Sequence, residues 1–108
     1  EAAGVGMTEA EAQAAGIEYA KASIPARANG RFLAECGMSA HGVCKVLADK
    51  KTGKVLGIHI VAPYAGEMIW GFQNALARGA TVHELESTVF PHPTVGELAH
   101  DALGALGL

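Results

Sequence analysis

No apolar run in this sequence approaches the roughly 20 residues that a bilayer-crossing helix needs, and Glu1 to Gly6 lack the basic and apolar sections of a signal peptide. These absences lead us to expect a soluble, cytoplasmic chain with no membrane contact. Cysteine is scarce. Cys36 and Cys44 are too few for a disulfide scaffold and too far apart for the close pairs of redox or zinc motifs, so both read as small buried hydrophobes. No charge of one sign gathers into a block: 8 Lys and Arg stand against 11 Asp and Glu, for a net charge of -3, and nucleic acid is not an expected partner. An initiating Met is also missing. The opening Glu1-Ala-Ala-Gly-Val-Gly is apolar and strand-like, the start expected of a domain cut from a longer protein.

What is present is enough for one core. A chain of 108 residues with 50% hydrophobic side chains should bury roughly 60 to 70% of the surface its unfolded form exposes. Three Thr-x-x-Glu patterns, Thr8 to Glu11, Thr81 to Glu84 and Thr94 to Glu97, read as capping boxes in which hydroxyl and carboxylate each satisfy a backbone N–H at a helix start. They predict short helices over Glu9 to Ala15, from near Val82 and from near Val95. Ile17 to Ile24 is compatible with a strand ended by Pro25, and 26–38 reads as irregular with at most one helical turn, because Asn29-Gly30 resembles a turn. Val43 to Ala48 and Val55 to Val61 flank a polar hexapeptide containing Gly53 and predict a hairpin. Alternation places Leu56, Ile58 and Ile60 on its core face, with Val55, Gly57 and His59 opposite. Gly66 to Ala77 carries Met68, Ile69, Phe72, Ala75 and Leu76 at helical spacing before Arg78-Gly79, and predicts the longest helix. The expected fold is α+β, a two-layer sandwich of an antiparallel sheet with helices packed on one face.

Between the last two boxes stands Phe90-Pro91-His92-Pro93. Two prolines deny the backbone regular hydrogen bonding and stiffen it around one histidine. An imidazole exchanges protons near neutral pH, and a carboxylate at Glu97 is placed to return to its other ring nitrogen, fixing the tautomer and raising basicity. Spacing alone leaves a second reading open, a loop histidine beside an ordinary box in which Glu97 bonds only the Thr94 backbone. His100 follows Glu97 by one turn, but the order is not that of helical zinc sites and no metal is expected. Gly4-x-Gly6 lacks the third glycine of a dinucleotide fingerprint. His41, His59 and His83 read as exposed or locally bonded, and Met68, Trp70 and Phe72 as core or interface surface.

The ordered series Gly4-Val5-Gly6-Met7-Thr8-Glu9, Ala28-Asn29-Gly30-Arg31, Lys45 to Asp49, Thr52 to Val61 and His92-Pro93-Thr94-x-x-Glu97 resembles the last domain of dihydrolipoamide dehydrogenases, within the pyridine nucleotide-disulfide oxidoreductases. The resemblance covers nearly the whole chain, and its last motif is the specific one. It implies that 1–108 is a C-terminal dimerisation domain whose FAD- and NAD-binding domains are absent from this chain. It further implies that His92 is the acid-base residue and Glu97 its partner, given to the active site of the opposite subunit of a homodimer for dithiol/disulfide exchange with a dihydrolipoamide-type substrate. The His92 and Pro93 backbone would then lie near the flavin in the parent dimer, and the His92–Pro93 bond is a candidate for the cis form. FAD and NAD are implied for the parent, for which a 2-oxo acid dehydrogenase complex is a candidate partner left open, while the fragment alone is expected to bind neither cofactor and to be inactive. Gly96, where serine is common, and Phe90-Pro91, where a small or polar pair is usual, bear on the substrate. A glutathione-reductase-like parent and a non-catalytic, free-standing interaction domain are the alternatives.

Overall fold

The hairpin predicted around Gly53 is the centre of the molecule, whose computed structural model describes residues 1–108. Its strands, β3 (Val43–Asp49) and β4 (Val55–Val61), are the inner pair of a four-stranded, fully antiparallel sheet. In the turn Asp49 accepts hydrogen bonds from the N–H groups of Lys51 and Thr52 at 2.7 and 3.2 Å, and Gly53 takes the positive φ of 74° that favours glycine. β1 (Ala2–Gly6) lies outside β4, and β2 (Tyr19–Pro25) lies outside β3. β2 starts two residues later than the sequence suggests and includes Pro25, whose missing N–H an edge strand tolerates because no further strand needs a donor there.

Ile58 and Ile60 face the core as expected, but Leu56 does not join them. Leu47 pairs with Gly57 and Ala48 with Val55, leaving Leu56 as the extra residue of a bulge. Past the bulge the alternation reverses, so Val55, 6% exposed, is a core residue and Leu56 is not. Helix α1 (Glu9–Ala14) follows β1, and α2 (Gly30–Cys36) lies between β2 and β3. Three further helices, α3 (Ala65–Ala77), α4 (Val82–Glu86) and α5 (Glu97–Gly104), follow the hairpin. The α3 helix packs on β1 and β4, and α5 on β2 and β3. Between them and the sheet lies one core of Val46, Ile58, Phe72, Val82, Leu98 and Leu103 with their neighbours. Each such large side chain, removed from water, stabilises the fold by roughly 1.5–3 kcal/mol. The small α1 lies on the other face, where Glu9 ties it to Lys21 at 3.0 Å and to Lys45.

Two expectations need correction. The 26–38 segment is not largely irregular: a 3₁₀ turn, Ala26–Ala28, leads into α2, which has seven residues. Asn29 is its N-cap, and buried Phe32 pins it to the core. The boxes are also only half of the expected kind. Thr8 and Thr81 accept from the N–H of Glu11 and Glu84 at 3.2 and 3.1 Å, but each carboxylate takes the threonine hydroxyl proton, at 3.3 and 3.1 Å, rather than a backbone N–H. At the third box α5 begins at Glu97, two residues later than predicted, with Gly96 as its N-cap.

Candidate acid-base site

His92 stands on the irregular stretch between α4 and α5, between two prolines, and the His92–Pro93 peptide is cis. Lacking repeated backbone bonds, this stretch is held by individual ones. The Thr94 hydroxyl donates to the Pro91 carbonyl at 2.7 Å, the Asn29 amide donates to the Thr94 carbonyl at 2.9 Å, and an Arg31 guanidinium N–H reaches the Pro93 carbonyl at 3.4 Å. A polar cleft of about 260 Å³ opens here, lined by Asn29, Arg31, His92, Thr94, Glu97 and Asp101 among others.

Glu97, on the first turn of α5, points one oxygen at two partners. Oε1 accepts from the Thr94 backbone N–H at 3.1 Å and meets His92 Nδ1 at 2.8 Å. One atom therefore makes both bonds, so Glu97 does not bond the Thr94 backbone alone. The Thr94 N–H first, and His92 after it, hold the Glu97 carboxyl below the usual carboxylate range, with His100 adding a smaller attraction. An ionised carboxylate only accepts hydrogen bonds, so Nδ1 carries the proton in this pair. In the neutral imidazole Nε2 then holds the lone pair. It makes no hydrogen bond within the chain, and the side chain is 80% exposed. The arrangement is an oriented proton acceptor whose reactive nitrogen is open to a group from outside this chain.

His100, His59 and His41 make their hydrogen bonds elsewhere. His100 donates from Nε2 to the Glu86 carbonyl at 2.9 Å and tilts against Phe90, with ring centroids 5.0 Å apart. His59 bonds the Met7 carbonyl at 3.0 Å, and His41 meets Arg27 at 3.4 Å. No three His, Cys, Asp or Glu side chains converge as a metal would require. Cys44 is fully buried, which pushes its thiol up to about 12 and removes it as a nucleophile near neutral pH, and Cys36 is half-buried and unpaired. At Gly4 and Gly6 the space a side chain would take is filled, by the His59 ring and by the Leu56 carbonyl respectively. On α3, Phe72 is buried and Met68 packs at the core margin, while Trp70 lies on the opposite, exposed side.

Sequence reasoning singled out His92 and Glu97 and missed Asn29. The one available signal was the preference of Asn for helix N-caps, here followed by Phe32 and Leu33.

The family model described as pyridine nucleotide-disulphide oxidoreductase, dimerisation domain, matches residues 1–103. A dihydrolipoyl dehydrogenase of Thermus scotoductus is 44% identical over 104 residues, covering 96% of this chain and 22% of that protein. A mitochondrial dihydrolipoyl dehydrogenase of Schizosaccharomyces pombe is 38% identical over 105 residues, covering 97% of this chain and 20% of that protein. The crystal structure of LpdA from Mycobacterium tuberculosis is similar with a TM-score of 0.85 and 30% identity, covering 97% of this chain and 22% of that one. This chain spans about a fifth of the length of the curated relatives it matches.

Proposed function

The chain belongs to the pyridine nucleotide-disulphide oxidoreductase dimerisation-domain family, and from that premise we propose that it is the C-terminal interface domain of a dihydrolipoyl dehydrogenase. In this reading His92 and Glu97 complete the active site of the partner subunit in a homodimer. The observation that carries it is the pairing of His92 Nδ1 with Glu97 Oε1 at 2.8 Å while Nε2 stays unbonded on an exposed ring.

The chemistry assigned to the pair is proton transfer. Nε2 takes the proton of a substrate thiol as its sulfur attacks one sulfur of a redox disulfide outside this chain. A mixed disulfide forms, the old S–S bond breaks, and the second cysteine leaves as thiolate. Glu97 then faces the imidazolium and stabilises its charge. FAD and NAD are assigned to the domains this chain does not contain, a reading supported at Gly4 and Gly6, where the His59 ring and the Leu56 carbonyl fill the space beside the glycine; the His92 and Pro93 backbone is proposed to border the flavin. Exposed Trp70, 71% accessible, and Val89, close to His92 in sequence, supply apolar surface for subunit contact.

Subunit complementation tests the proposal. A full-length protein with His92→Gln is combined with one whose redox cysteines are replaced. If His92 serves the opposite subunit, the heterodimer contains one site with both intact cysteines and an intact His92, and it recovers dithiol oxidation well above that of either homodimer. Verified heterodimers without recovery would remove the cross-subunit assignment.

A further inference from the structure

Asn29 is the one buried polar residue of the chain, 6% exposed, and all four of its hydrogen-bonding groups are engaged. Its N–H donates to the Ala26 carbonyl at 2.9 Å, and its carbonyl accepts from Leu33 at 3.2 Å. Its Oδ1 caps α2 by accepting from Phe32 N–H at 2.9 Å. Only Nδ2 leaves the neighbourhood, crossing 65 positions of sequence to donate to the Thr94 carbonyl at 2.9 Å. Helix capping accounts for Oδ1. It does not account for the use of an amide, since serine or aspartate caps a helix as well.

The bond from Nδ2 ends on the residue that organises the site. Thr94 is held at its carbonyl by Asn29, at its hydroxyl by Pro91 and at its N–H by Glu97, and the same Glu97 oxygen meets His92. Asn29 is itself fixed through Phe32, which is 1% exposed. An unbroken series of bonds thus runs from a core-anchored helix cap to an exposed imidazole. We propose that Asn29 is a positioning residue for the His92–Glu97 pair: its amide fixes the Thr94 backbone through the carbonyl, and with it the N–H that orients Glu97, and so the tautomer of His92. The geometric part stands on the bonds just given. Its meaning for catalysis rests on the acid-base reading of His92 above.

The substitutions that separate positioning from capping are Asn29→Ser, which keeps a neutral cap but cannot reach Thr94, and Asn29→Asp, which keeps the cap acceptor but has no proton to donate. The chain labelled with ¹⁵N at histidine reports each ring's tautomer by NMR near neutral pH, and the Phe32 amide reports the cap. The expected result in both variants is loss of the fixed Nδ1–H form of His92 in favour of a mixture of tautomers. Phe32 exchange protection should be kept, and His100 should retain its Nε2–H bond to Glu86. If Asn29→Ser does not fold, Asn29→Asp decides the question by the same readings. A His92 ring unchanged from the unsubstituted chain overturns the proposal, and so does a change in His100 as large as that in His92, which marks a general loosening of the fold. Neither result depends on turnover, so failure here is distinct from failure of the acid-base reading.

Discussion

Three segments of this chain share the pattern Thr-x-x-Glu, and they are not used alike. At Thr8 and Thr81 the hydroxyl accepts a backbone N–H from a helix's first turn and the glutamate turns back to that hydroxyl. At Thr94 the hydroxyl is taken by the Pro91 carbonyl, the helix starts without it, and the carboxylate holds the Thr94 N–H together with an imidazole. The difference comes from what precedes the threonine. Two prolines supply no N–H groups but leave the Pro91 carbonyl free to compete for the hydroxyl, and a histidine sits where the carboxylate can reach it. One local pattern thus makes a structural cap twice and a hydrogen-bonded histidine–glutamate pair once.

The largest effect expected from breaking the third segment is His92→Gln in the full-length protein. The variant keeps a polar side chain and loses the titratable acceptor, and dithiol turnover should fall by about 10²- to 10⁴-fold. Oxidation of NADH by an artificial acceptor that bypasses the dithiol should change little. Near-normal dithiol turnover in a folded, flavin-loaded dimer would return His92 to a purely structural loop. Glu97→Gln should lower the same turnover less, because the imidazole stays in place with weaker orientation; a loss equal to that of His92→Gln would mean that the carboxylate does more than orient.

A smaller effect separates the boxes as caps. Thr81→Ala removes the hydroxyl that satisfies Glu84 N–H and should cost about 1 kcal/mol of stability in a denaturant titration. Thr94→Ala leaves the start of α5 untouched, since its N-cap is Gly96 and the Glu97 bond is to the Thr94 backbone. Its main consequence should be a disordered His92 tautomer in the same NMR measurement. Were Thr94→Ala the more destabilising of the two with the His92 ring unaltered, the third box would be a cap like the others.

How far these differences are legible in sequence depends on the range of the interaction that causes them. The central hairpin is local, with alternating apolar residues and Gly53 in the turn, and it forms where expected. The same holds for α3, whose apolar residues recur at three and four positions. Leu56 is misplaced by reading alternation alone, because the register shift opposite Leu47 and Ala48 is a property of the strand pair. The α2 helix is invisible because Asn29-Gly30 suits both a turn and a helix start; burial of Phe32 in a core made by distant residues decides between them. His92 and Glu97 are five residues apart and could be nominated together. Asn29, across the fold, could not.

The smallest expected effect sharpens the contrast between the glutamates that open α1 and α5. Glu97 is held down first by a backbone N–H, whereas Glu9 is lowered from 4.5 to about 2 by Lys45 first, then Lys21 and Tyr19. For a carboxyl depressed in the folded state, the stabilisation is complete above its unfolded value and is lost as pH falls through the folded one. The contribution of Glu9 should therefore be full above about pH 5 and decline as the pH drops toward 2. Its lysines reach solvent, Lys21 being 60% exposed, so the effect is modest and should shrink in added salt. Glu9→Gln should flatten this part of the acid-unfolding profile followed by circular dichroism, while leaving the His92 tautomer at neutral pH unchanged. An acid profile identical to that of the unsubstituted chain would show that the lysines hold α1 to the sheet no better than water does, and that the burial of Ala12 and the hydrogen bond from the Gln13 amide to the Tyr19 hydroxyl keep it there without them.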